Sequence, residues 1–149
     1  ERPVRPIGMV SSGNCGIRDK PILATCDSVG GIAVVDADAL NLIAANSQTH
    51  IFDERHLITP HPLEFARLFP DLAKISREAA VSSFVANSKA TLLLKGSRSL
   101  IAQRGHAMLA NSTGTPGMAC GGQGDLLSGV IGAQLAAGAA VATSTSSPR

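Results

Sequence analysis

The stretch Asn111 to Gly129, NSTGTPGMACGGQGDLLSG, constrains this chain more than any other. A glycine-rich turn runs into an apolar helix whose spaced residues are Leu126, Leu127, Val130, Ile131 and Leu135. A helix entered through Gly121-Gly122-Gln123-Gly124 presents unpaired backbone N–H groups and partial positive charge to whatever lies in front of it. Such an end suits phosphate, and glycines let a ligand approach the backbone closely. Asp125 stands at the start of that helix. Two roles are open to it: a helix cap, worth about 1 kcal/mol over Ala, or chemistry on a group bound beside phosphate.

The rest of the chain supplies strands alternating with helices. Strands are expected at Val4–Val10, Ile32–Val35, Leu57–Thr59 and Thr91–Leu94, with a hairpin at Ser99–Ala102 and Ala107–Ala110. Helices are expected at Ile17–Val29, Ala37–Asn46, Pro62–Phe69 and after a Ser76 cap, with Ala80, Val81, Phe84 and Val85 inward. Alternation of this kind predicts an α/β fold with a mainly parallel sheet. In such sheets ligands gather at the carboxyl ends of strands. Asp36, Thr59-Pro60-His61 and Lys95-Gly96 each follow an expected strand, so all are placed to share one crevice with Gly124 and Asp125.

Composition narrows the function classes. The 149 residues suggest one domain, and 44% hydrophobic with 3% aromatic residues gives an aliphatic core. A net charge of +2 without a basic cluster argues against nucleic acid or a membrane surface as partner. Cys15, Cys26 and Cys120 lie far apart, which suggests neither disulfides nor zinc, and points to a reducing, cytoplasmic setting. The N-terminus has no signal-peptide layout. Residues 126–148 lack charge, but their small residues and Gln134 read as a buried helix rather than a membrane span. The polar tail 143–149 is expected to be disordered.

The glycine-rich string resembles the C-terminal motif of the ATP- or ADP-dependent NAD(P)H-hydrate dehydratase family, within the ribokinase-like fold. That motif looks like N-x-T-G-N-P-G-M-A-x-G-G-x-G-D-x-L-x-G. Asn111, Thr113, Gly114, Pro116, Gly117, Met118, Ala119, Gly121, Gly122, Gly124, Asp125, Leu127 and Gly129 fit it. Thr115 stands for the usual Asn, and Cys120 where Thr is common. Thr59-Pro60-His61-Pro62-Leu63-Glu64 resembles the family's T-P-H-P-x-E, Asp36-Ala37-Asp38-Ala39-Leu40 its D-A-D-A-L, and Leu94-Lys95-Gly96-Ser97-Arg98-Ser99 its L-K-G-x-x-T. Gly13 to Asp19 falls where the family has G-P-G-L-G-R-D, with the central Gly-Pro-Gly broken.

The resemblance implies a ribokinase-like three-layer sandwich with a mainly parallel sheet, as a partial domain over residues 1–142. It extends from about Gly8 to Gly138 and matches only the second half of a family domain. A complementing N-terminal half or self-association would then cover the exposed apolar surface. It also implies dehydration of hydrated NADH or NADPH, with ATP or ADP as phosphoryl donor and Mg²⁺ as its companion. Asp125 would take a proton from the substrate hydroxyl, whose oxygen attacks the terminal phosphoryl group before phosphate is eliminated. His61, Gly16 and Asp125 would touch the substrate, and Lys95, Gly96, Ser97, Arg98, Ser99 and Gly124 the adenine nucleotide.

The residues themselves leave other roles open. His61 and Glu64 also form a capping-box pattern, and Lys95 can be an ordinary exposed lysine. Asp36 suits a magnesium-bound water or an orienting role, and Asp38 a helix N-terminus. A small-molecule kinase of the same fold would have a similar nucleotide site, though Met118-Ala119 and the T-P-H-P-x-E turn argue against it. A non-catalytic nucleotide-binding fragment is the third reading.

Overall fold

The protein is described here by a computed structural model covering residues 31–113 and 122–137, with the backbone of residues 7–10. The expected helix at Ile17–Val29, the turn holding Gly16, most of the glycine-rich string and the tail 143–149 lie outside the described residues.

Six strands form one sheet in the order of the chain: β1 Ile7–Val10, β2 Ile32–Val35, β3 His56–Ile58, β4 Thr91–Leu94, β5 Ser99–Ala102 and β6 Leu109–Asn111. β1 to β4 run parallel, β5 pairs antiparallel with β4, and β6 pairs antiparallel with β5. Helix α1 (Asp38–Ala45) joins β2 to β3, while α2 (Pro62–Leu68) and α3 (Arg77–Asn87) join β3 to β4. Helix α4 (Gln123–Ala136) follows β6.

The strand alternation sorts residues onto two faces. Ala33, Val35, Ile58, Leu92 and Leu94 pack with Leu40 and Ile43 of α1, Phe65 of α2, and Val81 and Phe84 of α3. On the other face Val34, Leu57 and Leu93 meet Leu135, with Leu127 and Ile131 packed against them. Helices thus lie on both faces of an open, mostly parallel sheet, the three-layer arrangement that the family resemblance implied. Of the five apolar positions read on α4, Leu127, Ile131 and Leu135 serve the sheet, at a spacing of four. Leu126 and Val130 turn outward, at 63% and 51% exposure.

Element boundaries shift by a residue or two where local chemistry intervenes. α3 starts after Ser76, whose Oγ accepts from the Ala79 N–H at 3.3 Å, as a serine N-cap should. α4 begins at Gln123 rather than Asp125, because Gly122 takes the cap position with a φ of 85°. Glycine adopts that left-handed conformation without a Cβ penalty. Asp125 is therefore not the N-cap; it lies in the first turn.

Candidate active site

The ends of β2, β3 and β4 are tied together. The Thr59 N–H donates to the Val35 carbonyl at 3.1 Å, and the Lys95 N–H to the Pro60 carbonyl at 2.9 Å. Parallel register brings the residue after each strand to one edge of the sheet, which is why Asp36 and Lys95 meet. Lys95 Nζ donates to Asp36 Oδ1 at 2.7 Å. The Asp36 side chain is 4% exposed and that of Lys95 21%, so this lysine is not the ordinary exposed one.

Both oxygens of Asp36 are engaged. Oδ1 also accepts from the Ala37 N–H at 2.9 Å, and Oδ2 accepts from Ser128 Oγ of α4 at 3.0 Å. One buried carboxylate thus joins the ends of β2 and β4 to α4. Ala37 itself sits at a φ of 52°, uncommon for a residue with a Cβ.

Gly124 lies directly over this pair. A Cβ there would stand 3.4 Å from Asp36 Oδ2 and 3.6 Å from Lys95 Nζ, which is ordinary contact. Glycine is not demanded by a clash; it leaves open the room above the ammonium that a methyl group would fill. Asp125 follows it in the first turn of α4 and is exposed. The structure therefore groups Asp36, Lys95, Gly124 and Ser128, with Asp125 next along the helix.

Gly96, Ser97 and Arg98 form the exposed turn after Lys95, and Ser99 Oγ donates back to the Gly96 carbonyl at 3.4 Å. Arg77, at the start of α3, lies flush against this turn. Its Nη2 donates to the carbonyls of Lys95 at 3.2 Å and Leu94 at 3.5 Å. A Cβ on Gly96 would come within 2.6 Å of Arg77 Nη2. Gly96→Ala is expected to push the guanidinium off these carbonyls, an overpacking cost of about 1–3 kcal/mol. In an Arg77→Ala chain the same change should cost less than half as much in urea unfolding. Equal costs in both backgrounds would show that Gly96 does not exist to accommodate Arg77.

His61 takes the N-cap of α2. Its Nδ1 accepts from the N–H groups of Leu63 at 3.1 Å and Glu64 at 3.2 Å, while Glu64 Oε2 accepts from the His61 N–H at 2.8 Å. This is the capping box that the residues alone allowed. The ring remains 44% exposed, with Nε2 3.3 Å from Glu64 Oε1. Asp38 is exposed in the first turn of α1.

The Asp36 oxygens hold an ammonium, an amide and a hydroxyl. Among the described residues no group of three or more His, Cys, Asp and Glu is placed to hold a metal ion. A shallow groove of about 410 Å³, lined by Asn41, Ala44, Ala45 and Arg67, lies between α1 and α2. Arg67 is tied there to Asn41 Oδ1 at 2.7 Å, and the strand-end residues do not line that groove.

Ser128 gave no signal in the sequence. A serine inside an apolar helix has no pattern of its own; only the proximity of Asp36 reveals it.

Fold and strand-end cluster together define a ribokinase-like α/β protein. A ribokinase-like superfamily protein of Enterococcus faecalis superimposes with a TM-score of 0.69 at 27% identity, covering 87% of this chain and 47% of that one. The ADP/ATP-dependent NAD(P)H-hydrate dehydratase of Bacillus subtilis, crystallised with ATP/Mg²⁺, gives 0.60 at 27% identity, covering 77% and 43%. The family model described as NAD(P)H-hydrate dehydratase matches residues 19–147, and the chain belongs to that family. The bifunctional NAD(P)H-hydrate repair enzyme Nnr of Gloeobacter violaceus is 41% identical over 118 residues, which are 77% of this chain and 23% of that protein. The ADP-dependent (S)-NAD(P)H-hydrate dehydratase of Neisseria meningitidis is 39% identical over 114 residues, 72% of this chain and 38% of its own length. The chain thus spans less than half the length of each of these proteins. No helix among the described residues is long and apolar enough to cross a membrane.

Proposed function

We propose that this chain carries the nucleotide-handling part of an ATP- or ADP-dependent NAD(P)H-hydrate dehydratase. The observation that carries the reading is Gly124, at the start of α4, lying over the Lys95–Asp36 pair at the strand ends of a chain in this family, with Asp125 next along the helix.

Phosphate groups of an adenine nucleotide would meet the N-terminal turn of α4, the Lys95 ammonium and the Lys95–Ser99 turn. One donor of that ammonium is held by Asp36, which fixes its place; the others can point at phosphate. The open room over Gly124 admits the nucleotide's oxygens. Asp125 would accept the proton of the substrate hydroxyl. The oxygen would then form a bond to the terminal phosphorus as the bond to the nucleotide leaving group breaks. Preorganised N–H donors and the lysine hold the charge that develops in that step. Phosphate would then leave the ring carbon, and loss of a ring proton restores the dihydronicotinamide. Magnesium, which favours phosphate oxygens and retains water, would arrive with the nucleotide rather than in a cage of this chain's side chains.

His61 would offer its exposed ring edge to the substrate while its Nδ1 caps α2. Gly16 would touch the substrate on the resemblance of its loop alone. A complementing N-terminal segment or a second copy of the chain would cover the outward Leu126 and Val130. A cytoplasmic setting belongs to this reading.

Mixing the chain with hydrated NADH and either nucleotide tests the reading. Recovery of dihydronicotinamide absorbance that requires the nucleotide is the expected result. Nucleotide consumed only when a sugar or hydroxymethyl acceptor is added would favour the kinase instead.

A further inference from the structure

We propose that Ser128 is a positioning residue: through Asp36 it fixes the first turn of α4, and with it Asp125, against Lys95. Its catalytic consequence rests on the dehydratase reading above; its structural part does not.

Ser128 is 2% exposed, buried under an otherwise apolar helix face. Leu127, Ile131 and Leu135 hold α4 to the sheet by contacts without direction. Such contacts tolerate small rotations and slides of a helix. A hydrogen bond does not: Ser128 Oγ must lie at the Asp36 Oδ2 lone pairs, 3.0 Å away. Asp36 cannot yield, because Oδ1 is held by Lys95 Nζ at 2.7 Å and the Ala37 N–H at 2.9 Å.

Ser128 stands three residues after Asp125, about 4.5 Å along the helix axis and on the same side. Gly124, whose absent side chain opens the space over Lys95, stands one turn before it. The helix phase set at Ser128 is therefore the phase at which Gly124 faces the ammonium and at which Asp125, the next residue, is presented. Displacements of about 1 Å can cost about 10²-fold in rate when a reacting group is misplaced.

The test uses the full chain with Ser128→Ala and Ser128→Thr, followed by hydrogen exchange and by steady-state turnover. In Ser128→Ala, amides 126–129 should exchange about tenfold faster or more, while those of β2 to β4 keep their rates. Ser128→Thr, which retains the hydroxyl, should restore slow exchange. Turnover should show kcat lowered in Ser128→Ala with nucleotide KM little changed, and recovered in Ser128→Thr. Unchanged exchange in Ser128→Ala would overturn the proposal. So would loosened exchange with wild-type kcat, which would leave Ser128 a purely structural residue. If the wild-type chain shows no turnover, the dehydratase reading fails on its own, and the exchange rates still decide whether Ser128 sets the helix.

Discussion

Asp125→Asn is expected to remove turnover while barely moving the melting temperature. Gly122, not Asp125, holds the N-cap position of α4, and Asn keeps the size of the side chain and an oxygen that accepts hydrogen bonds. An acid in the first turn contributes about 0.3–1 kcal/mol through the helix dipole. For a chain of this size that is a shift of about 1–4 °C. A general base is another matter: Asn cannot accept the proton, and the rate should fall about 10²–10⁴-fold. That corresponds to about 3–5 kcal/mol in the barrier. Thermal melts by circular dichroism and the absorbance assay, run on the same preparation, separate the two effects. Turnover near that of the wild type would end the general-base assignment.

Lys95→Ala is expected to be costly in both binding and stability. From sequence alone this is a surface change that weakens nucleotide binding and spares the fold. The structure corrects the second half of that expectation, because the lysine neutralises a buried carboxylate. Removing one partner of a buried pair costs about 3–5 kcal/mol. The partial exposure of Lys95, and the Ser128 and Ala37 donors that remain on Asp36, favour the lower end. The double replacement Asp36→Asn with Lys95→Met leaves no unpaired charge and should be less destabilised than Lys95→Ala. Urea unfolding of the single and double variants measures this directly. A wild-type midpoint for Lys95→Ala would show that the pair contributes nothing.

Much of the frame could be read from local pattern. The helix expected at Ala37–Asn46 is Asp38–Ala45, and the hairpin about Gln103 to His106 joins β5 to β6. These elements are signalled within a window of a few residues, by apolar spacing and turn chemistry. The site is different in kind. Asp36 and Lys95 are 59 positions apart, and Ser128 is 92 from Asp36. Their meeting depends on strand register and on which face α4 covers, neither of which a single sequence states. Position after a strand was enough to place Asp36 and Lys95 at one edge, but not to pair them. His61 shows the opposite limit. A motif and a cap can use the same residues, and here the cap geometry is what the fold displays.

The most direct measurement is a hydrogen-exchange footprint of ATP and of ADP on the full chain. The central claim is that adenine nucleotide docks at Lys95–Ser99 and the first turn of α4. Slowed exchange at the amides of Lys95–Ser99 and Gly124–Ser128, saturating with nucleotide, is the expected result. Saturable protection at the groove of Asn41 and Arg67 with none at the strand ends, or no protection at all, would contradict it.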